Sequence, residues 1–190
     1  MTSSPNTPRF NLPTILTLSR VLLIPVFVII TPDRPFLGAI LFGIASLTDF
    51  LDGYLARKSG QVTQFGMILD PIADKFLVIS ALILLVEMGI LETWIASVLI
   101  IRDFLITALR VVALSKDIVI AAEMGGKLKT AAQITSILCL VLSRPNAGVY
   151  PIFDYIGLDL FDIGIVFIYI ALVLSVLSGI QYTVSFWKKI

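Results

Sequence analysis

Residues 48–75 read TDFLDGYLARKSGQVTQFGMILDPIADK, and they set four carboxylates, Asp49, Asp52, Asp70 and Asp74, inside two apolar runs. The 190-residue chain as a whole is strongly apolar, with 58% hydrophobic residues, 14% charged residues and a mean hydropathy of +1.01. Soluble domains carry about 45–50% apolar and about 25% charged residues. A bilayer core of roughly 30 Å is crossed by about 20 residues of helix, and several runs here reach that length. The expected fold class is therefore an all-α polytopic membrane protein.

Turn and charged residues divide the apolar runs into six expected spans. They cover about 13–30, 36–57, 69–89, 93–114, 128–143 and 160–186. Residues 1–12 read as a polar N-terminal tail without the features of a signal peptide, and 13–190 as a single membrane domain. Arg9, Arg57, Lys58, Lys116, Lys127, Lys129, Lys188 and Lys189 fall on one side of such a topology. Arg34 and Arg144, with Glu87, Glu92, Asp154, Asp159 and Asp162, fall on the other. The basic side marks the cytoplasm. Both termini and the aspartate stretch are expected there, in a multi-pass protein of the cell membrane. Trp94, Tyr150, Tyr155 and Trp187 near span ends read as interfacial aromatics, and Tyr182 as packing.

Two absences restrict the chemistry. The chain has no histidine, which removes the usual general base and every histidine-bearing metal site. Its single cysteine, Cys139, excludes a disulfide framework and reads as a small packing residue. Carboxylates, hydroxyls, Lys, Arg or a hard cation must do any chemistry. No nucleic-acid partner is expected.

Asp49 and Asp52 are spaced i, i+3 and Asp70 and Asp74 i, i+4, so each pair projects from one helix face. A short connection makes the two helices antiparallel neighbours. With Arg57 at the interface, Asp49 would lie about 12 Å deeper. Unpaired carboxylates at that depth cost several kcal/mol each, so something positive is expected among them. Oxygen-only donors select Mg²⁺, Mn²⁺ or Ca²⁺. Four carboxylates could hold two ions, an arrangement suited to phosphoryl transfer. Gly53 and Gly66 permit close approach, Arg57 could reach a phosphate, and Thr63 could add a hydroxyl. Plainer readings are an N-cap role for Asp70 before Pro71, glycines that serve packing alone, and an aspartate-lined ion or proton path.

Asp49, Asp52-Gly53, Ala56-Arg57, Gly66, Asp70 and Asp74, at this spacing, resemble the signature of the CDP-alcohol phosphotransferases. The resemblance implies a dimer of six-helix chains that joins an alcohol to a CDP-linked lipid and releases CMP. By position, Asp49, Asp52, Asp70 and Asp74 would hold two Mg²⁺ or Mn²⁺ ions. Asp74 would also be the base. The resemblance further implies that Asp49, Asp52, Gly53, Arg57, Thr63, Gly66 and Thr14 line the CDP-lipid site.

Three further stretches, NLPTILTLSRVLLIP (11–25), IRDFLITALR (101–110) and GGKLKTAAQ (125–133), resemble the bacterial phosphatidylglycerophosphate-forming members of that family. Asp103 stands where those members usually have glutamate. The implied substrates are CDP-diacylglycerol and glycerol 3-phosphate, with Arg102, Arg110, Lys127 and Lys129 as candidates for the acceptor phosphate. Lys127 and Lys129 would sit at a helix N-terminus, which favours an anion, or would simply enforce orientation. Arg110 could instead pair with Asp103 at i, i+7, and Arg20 could snorkel to the interface. Phosphatidylglycerol, inositol phosphate or serine as acceptor, and more remotely cation or proton transport, are the alternative functions.

Overall fold

The computed structural model describes residues 22–59, 64–116, 124–144 and 159–188. The side chains of 49–59, 64–74, 114 and 124 lie outside the described ones. The described residues form six helices and no strand. These are α1 (22–30), α2 (Pro35–Ser59), α3 (Gln64–Glu87), α4 (Thr93–Ser115), α5 (Met124–Leu142) and α6 (Leu160–Trp187). All six expected apolar runs carry a helix where they are described, with α3 and α5 ending at Glu87 and Leu142. The all-α expectation holds. The chain divides into two compact units, Met1–Ser80 and Ala81–Ile190.

In the first unit α1 turns into α2 through TPDRP. The carbonyl of Phe27 accepts from Thr31 N at 3.0 Å and from Thr31 Oγ1 at 2.6 Å, so the buried hydroxyl continues the helix pattern into the turn. Arg34 N donates to Ile30 O at 2.8 Å and closes it. The two helices then pack through Phe27 and Phe42, with ring centroids 5.7 Å apart.

The second unit holds the end of α3 with α4, α5 and α6. α3 stops at Glu87, two residues before the expected end, because Gly89 adopts φ +70°. Ile90 N donates to Leu85 O and Gly89 N to Val86 O, the paired bonds of a Schellman stop that a left-handed glycine permits. Leu91 and Ile95, both buried, resume the core beyond it.

α6 begins at an N-cap, where Asp159 accepts from Phe161 N at 2.8 Å. Its buried residues, Leu160, Gly164, Ile168, Ala171, Ser175, Ser178, Gly179, Tyr182 and Phe186, recur every three or four positions. Five of them are Gly, Ala or Ser, which lets neighbouring helices come close. Ser136 Oγ on α5 donates to the Gly164 carbonyl at 2.7 Å, and Gly125 faces Ser178 at the other end. α5 and α6 therefore run antiparallel. The opposite face of α6 exposes Val166, Ile170, Val173, Leu177 and Ile180. Among the described residues, α6 is the one helix long and apolar enough to cross a membrane, with 28 residues and a hydropathy of 2.6. Arg102, Asp103 and Arg110 interrupt the apolar character of α4.

Of the expected interfacial aromatics, Trp94 is half exposed, tilts against Tyr169 and donates to Glu92, while Trp187 is exposed beside Phe186. Tyr182 is buried packing, as its position suggested. Tyr150 and Tyr155, the tail and Arg20 lie outside the described residues.

A Cβ at Gly164 would come within 2.7 Å of the Leu140 side chain and 3.2 Å of its backbone nitrogen. Gly164→Ala should therefore lower stability by about 1–3 kcal/mol through overpacking, read as a reduced melting temperature in detergent.

Candidate active site

Asp49, Asp52, Gly53 and Arg57 lie on α2, and Gly66, Asp70 and Asp74 lie on α3. Each aspartate pair therefore has the helical spacing its sequence implied. Their side chains lie outside the described ones, and Thr14 and Thr63 lie outside the described residues altogether. α3 starts at Gln64, about five residues before the expected start. Asp70 is thus interior to the helix, which removes its reading as an N-cap. Pro71 follows inside the same helix and lacks the N–H that would otherwise reach the Met67 carbonyl in the turn before it. Among the described residues no group of three or more Asp, Glu, Cys or His could hold a metal.

The second unit builds a different cluster, around the middle of α4. Lys129 of α5 is buried and donates through Nζ to both oxygens of Asp103, at 2.8 and 2.6 Å. Arg102 Nη1 donates to Asp103 Oδ1 at 3.1 Å. The same guanidinium reaches α6, where Nε donates to the Ser175 carbonyl at 2.7 Å and Nη2 to Ser178 Oγ at 2.6 Å. It lies across Gly179, where a Cβ would come within 3.2 Å of Nε. The three charged side chains keep only 5–17% of their exposure. Charged groups so placed are tolerable because each is hydrogen-bonded to an opposite charge.

Of the four candidate acceptor-phosphate residues, the structure thus brings Arg102 and Lys129 together. Arg110 and Lys127 it leaves exposed. Arg110 has no ion pair among the described residues; the carboxylate at i, i+7 takes Arg102 and Lys129 instead. Two helical turns span about 10.5 Å, too far to compete with a neighbouring helix. α5 begins at Met124, four residues before the expected start. Lys127 therefore stands in its first turn, but Lys129 lies beyond the free N–H groups of the helix end. Their spacing of two points them to different faces, one wet and one buried.

Sequence reasoning did not find the α6 partners of Arg102, nor Gln133. Gln133 sits one turn from Lys129 on the buried face of α5, is 2% exposed, and its Nε2 has no hydrogen-bond partner among the described residues. The available signals were Lys129 and Gln133 at i, i+4 in an apolar run, and Ser175, Ser178 and Gly179 in another.

Comparison with known proteins adds the following. The family model described as CDP-alcohol phosphatidyltransferase matches residues 10–177. A Bacillus subtilis (strain 168) protein named CDP-diacylglycerol–glycerol-3-phosphate 3-phosphatidyltransferase is 40% identical over 197 residues, covering 95% of this chain and 97% of that protein. Proteins of the same name from Shigella flexneri serotype 5b (strain 8401) and Escherichia coli (strain K12) are each 40% identical over 183 residues, covering 92% of this chain and 93% of theirs.

The contrast between the two α5 lysines is testable. Lys129→Ala should cost about 2–3 kcal/mol, because it removes a buried cation from Asp103. Lys127→Ala should stay within about 0.5 kcal/mol, as exposed substitutions do. Thermal unfolding of the two variants in detergent measures the difference.

Proposed function

The chain belongs to the CDP-alcohol phosphatidyltransferase family, and we propose that it transfers the phosphatidyl group of CDP-diacylglycerol to glycerol 3-phosphate. The observation that carries this reading is identity of 40% over more than nine-tenths of both chains to relatives named for that reaction. The acceptor hydroxyl oxygen bonds to the phosphorus that bears the diacylglycerol, and the bond from that phosphorus to CMP breaks. Phosphatidylglycerophosphate and CMP result.

Asp74 takes the proton of the attacking hydroxyl. In a chain without histidine, a carboxylate is the base best suited to the task. Asp49, Asp52, Asp70 and Asp74 form an all-oxygen donor set, two on each of two successive helices, which suits two Mg²⁺ or Mn²⁺ ions. Such ions, when bound, neutralise the diphosphate and stabilise the departing CMP. Gly53, Arg57, Thr63, Gly66 and Thr14 line the site for the CDP-lipid, with Arg57 placed for a phosphate.

Arg102, Arg110 and Lys129 bind the phosphate of glycerol 3-phosphate, while Lys127, also a candidate by sequence, stands on the other face of α5. Three of the five N–H groups of Arg102 are engaged within the second unit. The other two take no partner among the described residues, which leaves them for an anion. The chain spans the cell membrane six times, with its termini and active site toward the cytoplasm, and works as a homodimer. The apolar exposed face of α6 and the apolar runs of the other helices support the membrane part of that reading.

Purified protein given CDP-diacylglycerol should release CMP with glycerol 3-phosphate and far less with serine, inositol phosphate or phosphatidylglycerol. Preference for another alcohol would replace the acceptor, and ion flux without CMP release would replace the reaction. Asp74→Asn should lower turnover by about 10²–10⁴-fold, the range of a lost general base, while CDP-lipid binding persists. Chelation of divalent cations should stop CMP release, and Mg²⁺ or Mn²⁺ should restore it.

A further inference from the structure

Asp103 has no part in the reaction as described, yet it is the carboxylate on which the second unit's buried cations meet. It engages Lys129 through both oxygens and Arg102 through one. The Arg102 guanidinium is fixed on its other edge by the Ser175 carbonyl and the Ser178 hydroxyl, and Gly179 leaves the space in which it lies. Three helices thus set one arginine. Long cationic side chains otherwise lose rotamer freedom when a ligand orders them. Here that ordering is already complete before any ligand arrives, and two N–H groups of Arg102 remain open among the described residues.

We infer that Asp103 is a positioning residue for the acceptor. Its carboxylate holds Arg102 and Lys129 in one fixed arrangement that receives the phosphate of glycerol 3-phosphate, and Ser178 and Gly179 seat the guanidinium on α6. The inference rests on the acceptor-phosphate reading given above. It adds Asp103, Ser178 and Gly179 to that reading, as residues that act through Arg102 and Lys129.

The test uses the full-length purified chain, with initial rates measured against glycerol 3-phosphate and, separately, against CDP-diacylglycerol. Asp103→Asn should raise the acceptor KM by about 10–100-fold, the equivalent of a lost charged hydrogen bond. Its kcat and its KM for the CDP-lipid should move by no more than about twofold, a split that identifies lost acceptor binding. Asp103→Glu, which keeps the charge, should recover most of the loss. An unchanged acceptor KM, a parallel rise for both substrates, or no recovery with glutamate would each overturn the role.

Gly179→Ala gives a second reading should Asp103→Asn fail to fold. It pushes on Arg102 without changing any charge, so the acceptor KM alone should rise; no rise would overturn the inference. Arg110→Ala and Lys129→Ala separate the two levels of the proposal. If neither raises the acceptor KM, the acceptor-phosphate reading and the positioning role fall together. If they raise it and Asp103→Asn does not, the positioning role alone falls.

Discussion

A charge carried into an apolar interior must bring its counter-charge with it, and the second unit of this chain is organised by that constraint. One short carboxylate on α4 takes a cation from its own helix and another from α5, and α6 supplies the remaining hydrogen bonds. Removing either cation would leave the carboxylate with a single counter-charge where rehydration is limited. The network therefore ties α4, α5 and α6 together by electrostatics, beside the Ser136–Gly164 hydrogen bond and the apolar packing of the same helices. The same constraint makes the four aspartates of α2 and α3 informative, since carboxylates in apolar helices call for cations.

Much of the fold was legible in the sequence because long apolar runs and their breakers report helices directly. The stop after Glu87 could be read from Gly89, and the start of α6 from Asp159. Helix starts were less legible. α3 and α5 both begin several residues early, at Gln64 and Met124, because helix continues past the apolar run into glycine-containing segments that hydropathy alone does not mark. That error had consequences: it made Asp70 look like a possible cap and brought Lys129 too close to a helix end.

The candidate site was legible in two unequal parts. The aspartate signature carries its own spacing and needs no tertiary information, so it could be read residue by residue. The partners of Asp103 could not. Local reasoning offers Arg110, two turns away on the same helix, whereas packing delivers Lys129 from 26 positions along the chain. Ser175 and Ser178, more than 70 residues from Arg102, sit in an otherwise apolar run. Interactions that join distant helices leave no periodic trace.

The length of α6 has a consequence of its own. At 1.5 Å per residue its 28 residues extend about 42 Å, well beyond a hydrocarbon core of roughly 30 Å. In a bilayer such a rod leans or protrudes, and Ser178 and Gly179 lean with it. The seat of the Arg102 guanidinium is thus carried by a rod longer than the hydrocarbon it would cross.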